Sequence, residues 1–376
     1  MRPLVPTQPY KPFFLLAALD AMLSVAVWLP WTVLERGLPG MDPAAWHRNA
    51  LLFGTLPAIL AGFLLTALPR WTGRPAPAPR LTAGLAALWL SARAAQLVST
   101  TAGLALSAAF VLILSLVAAI DILAARDRRD YKVIALLGAF CSGIVLTAAG
   151  FVPWGYRLAV ACLLGLVMVI GGRVTPALTA AFLVARGKSV SIARSRLVEV
   201  LVAVVTAAAL LSWVIAPSHP AAGLLGIAAA ATQAFRLSQW RGWRCVEPAV
   251  AALHVGYAWL PLGFALLALH VLQPATIAQA AALHAWTVGA IGTMSLAIMA
   301  SMIRRHSGRP FARSPAMMAA LLMVTASTAL RIAEAWTPAA RSVLIGSSAA
   351  CWIAAFALFL WAFRDVLLWL RRPVRP

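Results

Sequence analysis

Acidic residues are scarce in this sequence: 10 Asp and Glu stand against 31 Lys and Arg, a formal net charge of +21. Charge of either sign is thin, at 11% of the chain, while 62% of residues are hydrophobic. A soluble domain carries about 45–50% apolar residues, so no water-facing fold buries this composition and lipid is the implied solvent. The basic excess falls in short gaps between apolar runs. With no basic soluble domain to carry it, a nucleic-acid role is excluded. Cysteine is also sparse. Cys141, Cys162, Cys245 and Cys351 form no CxxC pair, and three lie inside apolar runs, which argues against a disulfide framework or thiolate zinc site. P-loop, HExxH, GxSxG and GxGxxG motifs in a suitable context are missing, so ATP-driven transport is not expected. No A-x-A-type cleavage site follows MRPLVPTQPYKP, so a removable signal peptide is not expected either.

What is abundant is apolar runs of spanning length, about 20 residues each. The sequence predicts an all-α polytopic membrane protein, one transmembrane domain over 1–376, with spans at about 13–34, 50–69, 81–99, 102–124, 131–150, 155–172, 196–215, 221–238, 249–272, 276–303, 315–335 and 342–370. The sixth run continues into the apolar segment 174–185, as a kinked extension or an interfacial helix. The gaps alternate in charge. RDRRDYK (126–132) and RRHSGRPFAR (304–313) mark one side, whereas TTAG (100–103), APSHP (216–220) and QPAT (273–276) on the other hold no Lys or Arg. The positive-inside rule then places both termini on the cytoplasmic side.

Three cytoplasmic ends share a helix stop. Span two ends in Arg70-Trp71-Thr72-Gly73-Arg74-Pro75 and span ten in Arg305-His306-Ser307-Gly308-Arg309-Pro310. Span six is expected to end in Gly171-Gly172-Arg173, with Pro176 close behind. Aligning spans two and ten on Gly-Arg-Pro pairs Ala50 with Ala285, Gly54 with Gly289 and Thr66 with Ser301, and sets Asn49 opposite His284. A stop on every fourth span predicts three four-helix units, about 13–124, 131–238 and 249–370. The alternative is chance recurrence of a common helix stop. Such a pseudo-threefold layout resembles that of haem-copper oxidase catalytic subunits, although spans six and seven lack that family's copper-histidine motif.

The six histidines are His47, His219, His254, His270, His284 and His306. Imidazole ligates haem iron and copper, and ionisable groups inside spans are often functional. His284 lies about two turns into span ten, beside Gly289 and Gly292, which admit a close helix or flat cofactor. It reads as a ligand or as a packing histidine. His254 lies near the opposite end of span nine, about 15–20 Å from His284 along the normal at roughly 1.5 Å per residue. It is a ligand, or it bonds a backbone carbonyl or Tyr257. His306 sits in a basic loop; His219 and His270 sit at outer span ends. Asp20 and Arg93 lie inside spans one and three and pair with a neighbour or line a polar cavity. Arg331 and Glu334, at i and i+3, satisfy each other. The tryptophans cluster near span ends as an interfacial belt.

PFFLLAALDA (12–21), WHRNALLFG (46–54), AGFLLTALPRWTGRP (61–75), IGGRVTPALT (170–179), WRGWR with EP (240–248), LHVGYAWLPLG (253–263) and HAWTVGAIGTM through HSGRPF (284–311) together resemble the NnrS family. These are bacterial inner-membrane proteins linked to nitric oxide. The resemblance implies haem and copper as cofactors and implicates His47, His254, His284 and His306, with Arg74, Arg173 and Arg309. It implies a small diatomic ligand, nitric oxide or another, handled at a haem between spans two and ten, with His284 axial, His47 a second or substitute ligand, and arginines on the haem propionates. One departure stands out. Where the family pattern reads Trp-His-x-His-Glu-Met, this chain has Asn49, Ala50 and Leu51. Asn is a poor haem ligand, so copper or haem ligation that needs this position is lost. The competing readings are a transporter or exporter without redox cofactor, and a divergent family member with a decayed metal site.

Overall fold

In lipid every backbone N–H must be satisfied within its own segment, which makes a long apolar run a helix. The computed structural model describes residues 8–33, 42–188, 195–245, 247–309 and 314–368, and among them the chain is helical with no strand. Twelve long helices follow in chain order: α1 (Tyr10–Val33), α2 (Pro43–Thr72), α3 (Pro79–Val98), α4 (Thr100–Ala125), α5 (Tyr131–Ala148), α6 (Val152–Val184), α7 (Arg196–Ile215), α8 (Pro220–Ser238), α9 (Pro248–Leu272), α10 (Gln279–His306), α11 (Pro315–Ala333) and α12 (Arg341–Leu367). All but α8 are long and apolar enough to cross a membrane. The exception carries Gln233 and Arg236, both buried inside the protein.

Helix starts follow local chemistry. Proline opens α2, α3, α8, α9 and α11, where its missing N–H is no loss. Side chains of Asp42, Ser99, Glu247 and Ser314 accept the free N–H groups at the starts of α2, α4, α9 and α11. Outward faces carry large apolar side chains such as Leu116, Ile120, Val204, Leu211 and Val343, each at least half exposed. Lipid is the solvent that such a surface requires.

The chain divides into two compact units, one of residues 1–162 with 363–376, the other of residues 163–362. In the first, α1 packs on α2, α2 and α3 on α4, and α4 on α5. In the second, α7 packs on α8, α8 on α9, α9 on α10, and α10 on α11.

One local device recurs. Helices α2, α6 and α10 each contain a π-helical turn, over Ala50–Thr55, Val167–Gly171 and Ala285–Gly292. Each of these helices is followed by a glycine in the left-handed region: Gly73 (φ 70°), Gly187 (φ 70°) and Gly308 (φ 67°). A side chain there would be strained, so glycine is the residue that lets the helix stop. Counted back from that glycine, the π turn starts 23 residues earlier in α2 and in α10, and 20 earlier in α6. The pairing of Ala50 with Ala285 thus matches the first residues of two π turns.

Of the two readings of the segment that follows Gly171-Gly172-Arg173, the extension of span six holds, and the expected stop at these residues does not. Helix α6 runs on to Val184 as one helix, Gly171 closes its π turn and Arg173 lies inside it. The stop is Gly187, where Lys188 N–H reaches the Leu183 carbonyl and Gly187 N–H the Val184 carbonyl. Gly171 and Gly172 serve close packing instead: a Cβ on them would lie 2.6 Å from Met294 Cε and 2.3 Å from Arg236 Nη2.

Candidate functional site

π turns release backbone carbonyls from regular pairing and are frequent at functional sites. In the first unit the α2 turn is wrapped by polar partners. Trp89 Nε1 donates to the Gly54 carbonyl at 2.8 Å and Thr55 Oγ1 to Asp20 Oδ2 at 2.7 Å. Arg93 Nε donates to Asp20 Oδ1 at 2.8 Å, and its other nitrogens bond Ser24 and Gln96. The guanidinium packs close against Gly54, where a Cβ would approach to 2.8 Å. Asp20 and Arg93, expected to pair or to line a cavity, pair with each other.

Residues just before that turn are equally occupied. Asn49 is buried, and its Oδ1 accepts the Tyr156 hydroxyl at 2.5 Å. The Tyr156 ring stacks on Phe53 at 5.6 Å and lies under the Arg48 guanidinium at 4.8 Å. His47 is half-buried and stacks on Trp28 at 4.3 Å between ring centroids, while Trp46 Nε1 donates to the Ser24 carbonyl.

In the second unit the α6 turn meets a network that motif reading missed. Arg236 donates to both Glu199 oxygens, at 3.0 and 2.5 Å, to the Tyr257 hydroxyl at 2.6 Å and to the Met168 carbonyl of the π turn at 3.1 Å. Tyr257 passes its proton bond to Gln233 Oε1 at 2.6 Å, and Gln233 Nε2 donates to Thr206 Oγ1 at 2.8 Å. The available signal was Gln233 and Arg236 three residues apart in an Ala-rich span, with Glu199 in the first turn of its neighbour. Polar side chains at such depth persist when paired.

His284 immediately precedes the α10 turn. Its Nδ1 lies 2.7 Å from the Ala280 carbonyl and its Nε2 3.2 Å from Arg331 Nη2. A carbonyl only accepts and a guanidinium only donates. Nδ1 therefore carries the proton, and Nε2 presents a lone pair on a neutral imidazole. Arg331 also pairs with Glu334 Oε2 at 3.5 Å, and Arg341 holds Glu334 Oε1 at 3.2 Å. The expected Arg331–Glu334 pair is present, but it extends to the histidine.

His254 differs in tautomer and setting. Thr179 gives its hydroxyl proton to the Thr175 carbonyl, so it accepts from His254 Nε2 at 2.8 Å. Nδ1 abuts the backbone of Gly242, where a Cβ would come within 2.4 Å. The expected partner, a carbonyl or Tyr257, is thus replaced by Thr179, and neither nitrogen is presented for coordination. Outside the spans at this end, burial pushes the Glu247 carboxyl up from its ordinary value, against the opposing pull of the Val250 N–H and Arg304.

The remaining candidates do not converge. Arg74 pairs with Asp121 at 2.7 Å, Arg173 lies within α6, and the Arg309 carbonyl accepts from Arg304. His306 is the exposed last residue of α10, inside the helix end where a loop was expected. His219 caps α8 and His270 Nδ1 donates to the Ile277 carbonyl. Among the described residues no three His, Cys, Asp or Glu side chains come together as a metal-ligand set.

No curated protein matches this chain. The family model described as NnrS protein matches residues 5–371, nearly the whole sequence. The chain therefore belongs to the NnrS family and is a nitric-oxide-related membrane protein.

Proposed function

We propose that the chain binds or redox-handles nitric oxide, or another small diatomic, at a haem carried by His284. The observation that supports this is the tautomer of that imidazole. An Nδ1–H tied to a backbone carbonyl turns Nε2 away from its own helix, here toward Arg331, and raises its basicity, the arrangement found behind metal-ligating histidines. Haem iron asks the protein for only one or two ligands, so a single well-oriented imidazole fits it. Bound at His284, haem supplies an iron coordination position for the diatomic. The chain's residues hold the imidazole neutral and oriented. The close approach that Gly289 and Gly292 allow beside it is taken by Trp259 and Trp352 of neighbouring helices. His47 and Asn49 belong to the other unit, and the proposal stands on His284 alone. In the bacterial inner membrane, the arginine-bearing ends of α2 and α10 face the cytoplasm under this reading.

The test is a visible spectrum, oxidised and reduced, of protein purified in mild detergent from haem-replete cells, with iron and copper assays. A Soret band that is lost in His284→Ala and kept in His254→Ala is expected. A colourless, metal-free wild type overturns the reading. That result favours a transporter or exporter without redox cofactor. Arg331 on the Nε2 lone pair, and the Arg93–Asp20 and Arg236–Glu199 pairs on the helices, support that second reading.

A further inference from the structure

The gap between α8 and α9 reads Trp240-Arg241-Gly242-Trp243-Arg244-Cys245. Both ends of this loop are pinned inside the protein. Trp240 is buried, edge-on to Tyr257 at 4.5 Å and under the Arg236 guanidinium at 5.3 Å. Cys245 is buried in a cluster with Phe182, Leu183 and Val250. Between them Gly242 lies against His254, where a Cβ would meet Nδ1 at 2.4 Å. Arg241, just before it, holds a left-handed backbone (φ 57°) that a side chain rarely adopts. What is left outside is Trp243, 71% exposed, and Arg244 beside it. The end of α6 adds to this surface. The exposed Arg186 lies over the Phe182 ring at 5.3 Å, on the cluster that holds Cys245, and the exposed Lys188 follows.

These cations have no carboxylate of their own. The acidic side chains of the second unit are engaged elsewhere: Glu334 with Arg331 and Arg341, Glu199 with Arg236, and the buried Glu247 on the Val250 N–H. The basic gap at residues 126–132 of the first unit is built differently. Asp127 and Asp130 interleave with its cations, Asp127 pairs with Arg129 at 3.5 Å, and it holds no tryptophan. An exposed indole settles at the level of lipid headgroups. Clustered Lys and Arg at span ends attract anionic headgroups, and a guanidinium fork matches two phosphate oxygens. Val184 of α6 and Val255 of α9 are exposed apolar side chains on the two helices that the loop joins to the cluster, a surface suited to acyl chains. We propose that Arg186, Arg241, Trp243 and Arg244 form a docking site for an anionic phospholipid, the arginines on its phosphate and Trp243 against its glycerol region.

The experiment equilibrates full-length protein in mild detergent with equal amounts of phosphatidylglycerol and phosphatidylcholine, and counts bound lipid by native mass spectrometry. Wild type should favour phosphatidylglycerol. Arg186→Gln and Arg244→Gln should each cut that preference about fivefold, the factor expected of one arginine at a charged membrane surface. Arg186→Lys with Arg244→Lys should retain most of it. Trp243→Ala should lower occupancy by both lipids and leave their ratio alone. Arg128→Gln with Arg129→Gln, which removes charge at the other gap, should leave the ratio as in wild type. An equal fall in that last variant would make the effect one of net charge and overturn the site. Equal binding of the two lipids by wild type also overturns it. Inorganic phosphate that abolishes the preference would assign the surface to a soluble phosphate and sink the lipid reading.

Discussion

The π turns of α2 and α10 are the same local structure with different endings. They start at residues that align without a gap, Ala50 and Ala285, and stand the same distance from a left-handed glycine. In α2 the residue before the turn is Asn49, plugged by the Tyr156 hydroxyl, and the turn is sealed by Trp89, Thr55 and an Arg93–Asp20 pair. In α10 the residue before the turn is His284, whose Nε2 meets the Arg331 guanidinium. The lesson is that a repeated backbone irregularity does not by itself carry chemistry. Side chains at the turn decide whether it is closed on itself or holds a reactive group in check.

The largest contrast lies in the two arginines. Arg93→Met strands Asp20 without its ion partner inside the first unit, and breaking a buried pair this way costs about 3–5 kcal/mol. Arg331→Met leaves Glu334 still paired to Arg341, so the loss is about 1 kcal/mol, the net worth of one hydrogen bond. Thermal unfolding of both variants in one detergent checks this, and equal losses would erase the distinction between a sealed and an open turn. A smaller effect is expected of Tyr156→Phe, which removes the hydroxyl from Asn49 but keeps the stack on Phe53. It should destabilise by about 1–3 kcal/mol for the orphaned amide, with the porphyrin spectrum unchanged. A spectral shift instead would tie the α2 turn to the cofactor.

The smallest effect concerns neither turn and serves as a baseline. Burial raises the Glu247 carboxyl, so folding favours its protonated form. Stability from that group is present below the ordinary carboxylate value and fades as pH rises through the raised one. Unfolding temperature should therefore fall more steeply from acid toward neutral pH in wild type than in Glu247→Gln. A parallel pair of curves would remove Glu247 from the account.

Much of the architecture could be read in advance. Twelve apolar runs became twelve helices, because spanning length and proline or Ser/Asp starts are local signals. Span six misled because Gly-Gly-Arg is also a local signal, a helix stop, whereas Gly171 and Gly172 answer to Met294 and Arg236, which are distant in sequence. The same limit hid the Arg236–Glu199–Tyr257 network and the contact of Arg331 with His284: each joins helices that no spacing rule connects. His284 itself was legible as a histidine within a span beside glycines, and its tautomer was not, since that depends on which groups its two nitrogens meet.

A π turn is one residue of surplus in an otherwise regular helix. Each residue of an α-helix advances the side-chain direction by about 100°, so removing one residue from Ala285–Gly292 would restore a plain helix and swing everything before it by that angle. Gly308 and the arginines near it would keep their bearing, while His284 would turn away from Arg331. The surplus residue thus acts as an angular offset between the two halves of α10, and the direction in which His284 points is set by chain length as much as by side-chain chemistry.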